Sequence, residues 1–159
     1  MPNDLIATDP LISQNFFLEI DGEVVTILSS VSGLDIEVDV ASIQQVGKMG
    51  KIQMIRTLGN QVKAPDLTLT RMAPADSAND KMWKWFNDIR DKGMKVADRA
   101  GVRKNGSIVI YDYENKEVLR WNFVNGWISK LQGPSLNAGG NDVAIEAITI
   151  VHEGLTRIK

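Results

Sequence analysis

The chain has 159 residues, the usual size of one domain, and its 43% hydrophobic and 24% charged content is ordinary for a soluble globular fold. It contains no cysteine, which excludes a disulfide framework and thiol chemistry, and no apolar run approaches the length of a membrane-spanning helix. The net charge of −2 hides an asymmetry: residues 1–42 hold eight acids and no Lys or Arg, whereas residues 43–65 hold Lys48, Lys51, Arg56 and Lys63 and no acid.

The first residues, "MPNDLIATDPLIS", lack the basic start and apolar stretch of a secretory signal, so synthesis and folding in a cytoplasm are expected. Residues 1–13 read as an N-terminal arm ahead of the first β-rich run. Residues 14–31 read as a hairpin, two β-rich runs flanking the turn pair Asp21-Gly22. After Gly33, residues 34–40 read as a strand. Leu34, Ile36, Val38 and Val40 alternate there with Asp35, Glu37 and Asp39. Three carboxylates on one strand face repel one another unless a cation sits opposite, and none precedes them in the chain. "ASIQQVGKMGK" has two glycines and no strong period, so it reads as an exposed loop. Residues 51–58 and 66–71 read as strands, with Pro65 at the entrance of the second. Residues 41–60 thus read as an exposed loop and strand.

One helix is expected over 77–93. Ser77 with Asp80 forms an S-x-x-D capping pattern, and Met82, Trp85, Phe86 and Ile89 fall on one stripe. Gly93 suits the C-terminus. A second hairpin follows, 106–113 with 116–124, turning at Glu114-Asn115. Asn125-Gly126 marks either a turn or a bulge inside a longer strand. Residues 133–141 read as loop and 142–153 as a long closing strand. About eight strands and one helix, with turn signals at short intervals, predict a single mainly β domain over 1–159: a β-barrel or sandwich with one packed α-helix.

Tests for chemistry fail one by one. His152 is the lone histidine, so multi-His and His-Cys metal sites are excluded. "HEGLTR" lacks the second histidine of H-E-x-x-H, and no serine sits in G-x-S-x-G. "GKMGKI" misses the phosphate-loop pattern, because Gln45 stands at its first glycine and Ile52 follows Gly50-Lys51. The carboxylates Asp35, Glu37 and Asp39 line a strand face rather than converge on a point. A slightly acidic chain is a poor nucleic-acid binder. Trp85 and Trp121 fit core packing best. No catalytic residue, cofactor or metal is expected. The candidate residues for charge-complementary contacts between copies are Asp35, Glu37, Asp39, Lys48, Lys51 and Arg56.

Several stretches together carry a resemblance: "FFLEIDGEVVTILSSVSGLDIEVDV", "DLTLTR", "WKWFNDI", "GSIVIYDYENKEVLRWNFVNGW" and "SKLQGPSLNAGGNDVAIEAITIVHEGL". In order and spacing they resemble the tail tube protein family of contractile phages, and within it the inner tube proteins of extracellular contractile injection systems. The resemblance covers residues 14–157 and departs at Gly126-Trp127-Ile128, where Ala-Trp-Pro is the family pattern. It implies a structural subunit, not an enzyme, that forms homohexameric rings stacked into a hollow tube. Partners implied are the sheath protein, baseplate or spike proteins, tube-terminating proteins and lumenal cargo where present. No specific nucleic-acid or membrane binding is implied. The particle would be a virion tail or a released injection particle. The charge asymmetry agrees with it, since unlike patches suit head-to-tail contacts. The acids of 35–39 then face either a neighbouring subunit's cations or the lumen, and residues 41–60, the arm 1–13 and the C-terminal "TRIK" are the expected contacts between stacked rings or neighbours. Two alternatives stand beside this reading: a small-molecule-binding β-barrel, and the tube protein of type VI secretion.

Overall fold

The computed structural model describes residues 15–140 and 142–159. Its elements are β1 (Asn15–Ile20), β2 (Glu23–Ile27), β3 (Ser30–Ser32), β4 (Glu37–Val46), β5 (Ile52–Lys63), β6 (Leu67–Met72), α1 (Lys81–Lys92), β7 (Lys104–Tyr111), β8 (Glu117–Gln132), β9 (Ile145–Val151) and β10 (Gly154–Arg157). The expected N-terminal arm, residues 1–13, lies outside the described residues, as does Asn141 in the loop before β9.

Eight strands form one antiparallel sheet in the order β2-β1-β7-β8-β9-β6-β3, with β10 paired to β8 off this path. The expected turns hold the hairpins. Asp21 and Gly22 both take positive φ between β1 and β2, the geometry that a two-residue hairpin needs. Between β7 and β8, the Asp112 carboxylate accepts from the Glu114 and Lys116 amides.

The pivot of the fold is β8. Its first half pairs with β7 and β10, and its second half pairs with β9. The change of partners falls at Asn125-Gly126, with Asn125 at φ 50°, so this pair is a bend within one long strand rather than a turn. Neither Gly126 nor Gly106 of β7 has room for a methyl group. One at Gly106 would meet the Phe123 ring and the Glu19 carbonyl; one at Gly126 would meet the same ring and Ile150. The buried phenyl thus fills the space that both glycines leave.

The two ends of the sheet path, β2 and β3, are linked by Leu28 and Ser29. The Leu28 amide donates to Phe16 and the Ser29 amide to Thr70. The chain thus steps from one edge to the other, but no ladder joins β2 to β3, so the sheet wraps without closing into a barrel. Leu18, Leu67, Leu69, Ile108, Phe123, Ile128, Ile148 and Ile150 fill the inside, and Met82 and Trp85 of α1 cover it. Burying each such side chain contributes about 1.5–3 kcal/mol.

Several boundaries differ from the sequence reading. The helix begins at Lys81, and its N-cap is Asp80, whose Oδ2 accepts from the Trp83 amide; Ser77 lies one turn upstream of it. The closing strand expected over 142–153 spans Ile145–Val151, and a further short strand, β10, follows it. The strand expected over 34–40 begins at Glu37, and 41–46 is strand rather than loop. Together β4 and β5 make a separate two-stranded sheet whose turn holds Met49 at φ 74°.

Candidate assembly surface

The β4–β5 hairpin stands apart from the core. Its residues are exposed, apart from the half-buried Asp39 and Gly59. Directly opposed residues share a face. One face carries Val38 with Val62, Val40 with Leu58, and Val46 with Ile52. Between them lie Ser42 with Arg56 and Gln44 with Met54. The other face carries Glu37 with Lys63, Ala41 with Thr57, Ile43 with Ile55, and Gln45 with Gln53. The first face is therefore mostly aliphatic, yet Leu58 is 76% and Val46 75% exposed. A contiguous apolar patch of this kind marks an interaction surface. The hairpin also has two unpaired edges, which invite strand addition, and an isolated two-stranded hairpin is marginal in water. At its base the register shifts between Val38 and Val40, where Gly59 lies tight against Asp39. Such a bulge bends and twists the ladder.

The six residues expected from sequence do not gather at one point. Asp35 precedes β4, and Glu37 and Asp39 sit at the hairpin base. Lys48 and Lys51 bracket the tip, and Arg56 lies on the aliphatic face with its Nη2 3.9 Å from Met54 Sδ. Base and tip are separated by ten residues of β4, about 30 Å, well beyond the Debye length of about 8 Å at physiological salt. The tip cations therefore do not neutralise the base acids of their own chain. Part of the missing counter-charge is Lys63, whose Nζ lies 2.5 Å from Asp39 Oδ1. That hydrogen bond, with Asp39 and then Glu37 as nearby charges, raises the Lys63 pKa. Sequence reading counted Lys63 but did not pair it, because the pairing needs the register Glu37↔Lys63.

The other polar constellations brace the body. Arg71 on β6 is buried and uses all five N–H groups. Nε and Nη2 donate to Glu146 Oε2, at 3.2 and 3.1 Å. Nη1 and Nη2 donate to the two Asp80 oxygens at 2.8 and 2.7 Å, and Nη1 also reaches Thr26. Trp83 Nε1 donates to the remaining Glu146 oxygen at 3.1 Å. Burial pushes the Asp80 pKa up, but Arg71 and the Trp83 amide outweigh it and hold the carboxyl below its ordinary value. A second cluster joins Arg120 to Glu117 and Glu19, and Tyr111 donates to Glu19. His152 Nε2 lies 3.1 Å from the Pro65 carbonyl, and its ring packs near Phe123; it is placed for packing at the root of the hairpin. Among the tryptophans, Trp85 is core, Trp121 packs against it, and Trp127 lies under the Arg103 guanidinium, 4.9 Å from its ring centre. Trp85 and Trp127 line different clefts.

Residues 13–156 match the family model described as T4-like virus tail tube protein gp19. Among solved structures, the anti-feeding prophage cap (AFP tube terminating cap) superposes with a TM-score of 0.74 at 25% identity, covering 98% of this chain and 95% of that one. The sheath-tube complex of an extracellular contractile injection system, PVC, in its extended state gives 0.72 at 22% identity, covering 99% and 97%. A type six secretion system protein gives 0.51 at 12% identity, covering 90% and 82%. No curated protein gives a significant match.

Proposed function

The chain belongs to the T4-like virus tail tube protein family, and from that premise we propose that it is the inner-tube subunit of a contractile, phage-tail-like injection particle. Copies form hexameric rings, the rings stack into a hollow tube, and the tube is driven through a target envelope. Sheath, baseplate and tube-terminating proteins are its partners in the particle, and cargo, where carried, lies in the lumen. The role is structural and involves no catalysis. The type VI likeness, at 12% identity, bears on the fold alone.

The observation that carries this reading is the unpartnered β4–β5 hairpin. An exposed aliphatic face with two open edges is an element completed by identical copies. Neighbouring hairpins pair edge to edge around the ring. The aliphatic face of Val38, Val40, Val46, Ile52, Leu58 and Val62 lies against a neighbour's body. The polar face, with Glu37, Asp39 and Lys63, turns to the lumen and keeps it wet.

The two faces give the test. Val40→Lys with Leu58→Lys should leave a folded subunit that forms no tubes in negative-stain micrographs. Ala41→Lys with Thr57→Lys, one residue away on the opposite face, should still form them. The reverse outcome would sink the assignment of faces, and tubes from both variants would remove the hairpin from assembly.

A further inference from the structure

A second apolar surface lies beside α1. The C-terminal end of α1, the 3-10 turn before β7 and the second half of β8 enclose an open groove of about 530 Å³. Its walls are Phe86, Ile89, Val102, Trp127 and Ile128, and Met94 stands at its lip, 81% exposed. Its rim is cationic. Residues 90–104 hold six Lys or Arg and two Asp, and Arg90 and Arg99 border the groove. Among the described residues, the ion pair of Arg90 is a long contact with its chain neighbour Asp91, at 3.6 Å. The Nε of Arg99 donates to the Gly93 carbonyl, and among the described residues Arg99 makes no ion pair. An occupant that fits is a segment with aliphatic anchors and adjacent acids.

The chain contains such a segment. Residues 1–14 read MPNDLIATDPLISQ, with an acid just ahead of an aliphatic pair twice over: Asp4 before Leu5-Ile6, and Asp9 before Leu11-Ile12, with no Lys or Arg. They lead into β1 at Asn15, which pairs with Tyr111 at one end of β7. The groove adjoins Lys104 at the other end, seven residues away, about 23 Å along the strand. Asn15, where the segment joins the body, and the groove thus lie toward opposite ends of β7, and head-to-tail stacking brings unlike ends together.

We propose that the groove receives residues 1–14 of the next copy in the stack, with the two aliphatic pairs as anchors and Asp4 and Asp9 set against Arg90 and Arg99. The proposal rests on the reading that copies stack into a tube. It makes each ring hold the next by a strap as well as by packing.

The absence of native cysteine allows a direct test. Two full-length variants, Leu11→Cys and Met94→Cys, are mixed under assembly conditions and oxidised gently. A disulfide needs Cα atoms within about 7 Å. The expected result is a covalent dimer at least tenfold more abundant than from Leu11→Cys mixed with Leu136→Cys, an exposed control outside the groove. Tubes that form normally with dimer no more abundant than the control overturn the docking and leave the tube reading intact. A cross-link confined to single chains carrying both cysteines places the segment in its own groove and overturns the strap. Unmodified protein that forms no tubes, alone or with baseplate components, overturns the tube reading and the strap with it.

Discussion

Arg71 shows how much one side chain holds in this subunit. It ties the N-cap of α1, through Asp80, to two neighbouring strands, through its own place on β6 and Glu146 on β9. Removing one partner of a buried ionic group leaves uncompensated charge, at a cost of about 3–5 kcal/mol, a large share of a domain's 5–15 kcal/mol. Arg71→Met should lower the unfolding free energy by about that amount in urea titrations. The same network gives a pH dependence. The folded pKa of Asp80 lies below its ordinary 3.8, so its stabilising contribution is present above that value and is lost as pH falls through the folded one. The stability gap between wild type and Asp80→Asn should therefore be widest near neutrality and narrow below about pH 4. Glycine supplies another residue-level test. Gly126→Ala conflicts with the Phe123 and Ile150 side chains, whereas Gly106→Ala also meets the Glu19 backbone. Each should cost about 1–3 kcal/mol, and Phe123→Leu should recover more of the loss at Gly126 than at Gly106, as read by thermal melts.

Among the elements, β4–β5 differs from the rest in having no share of the core. Strands β6 and β9 alternate buried and half-buried along their length, whereas β4 and β5 remain exposed. Their ladder hydrogen bonds therefore open to water at little cost in the isolated subunit. Amide exchange should be fast across 38–62 in dissociated protein and strongly slowed in tubes, while β6 and β9 stay protected in both. Exchange that is equally slow in the monomer would show that the hairpin is stable by itself.

The whole molecule is polar in its charge, with acids at the hairpin base and cations at its tip. Such separation favours base-to-tip contacts between stacked rings and acts more on specificity and encounter than on affinity. The triple variant Lys48→Glu, Lys51→Glu, Arg56→Glu should fail to assemble while melting as wild type does; tubes of normal length would show that the tip cations are not needed. Raising salt from about 0.05 to about 0.5 M should slow assembly of the unmodified chain, since screening shortens the reach of these charges.

What the sequence determined by itself is what local chemistry controls. Asp21-Gly22 set a hairpin, the stripe from Met82 to Ile89 set a helix, and alternation in 66–71 set a strand. The order of motifs placed the chain in its family. What the tertiary structure decided depends on partners far apart in sequence. Arg71 meets Glu146 across 75 residues, β8 bends to serve two sets of strands, and Lys63 lies opposite Glu37 only once the register is known. Residues 41–46 looked like loop because hydrophobic alternation reports burial against a chain's own core, and these residues have none within it. In the proposed tube the hairpin's partner lies on other copies, so its strand character became visible through backbone pairing rather than through the pattern of side chains.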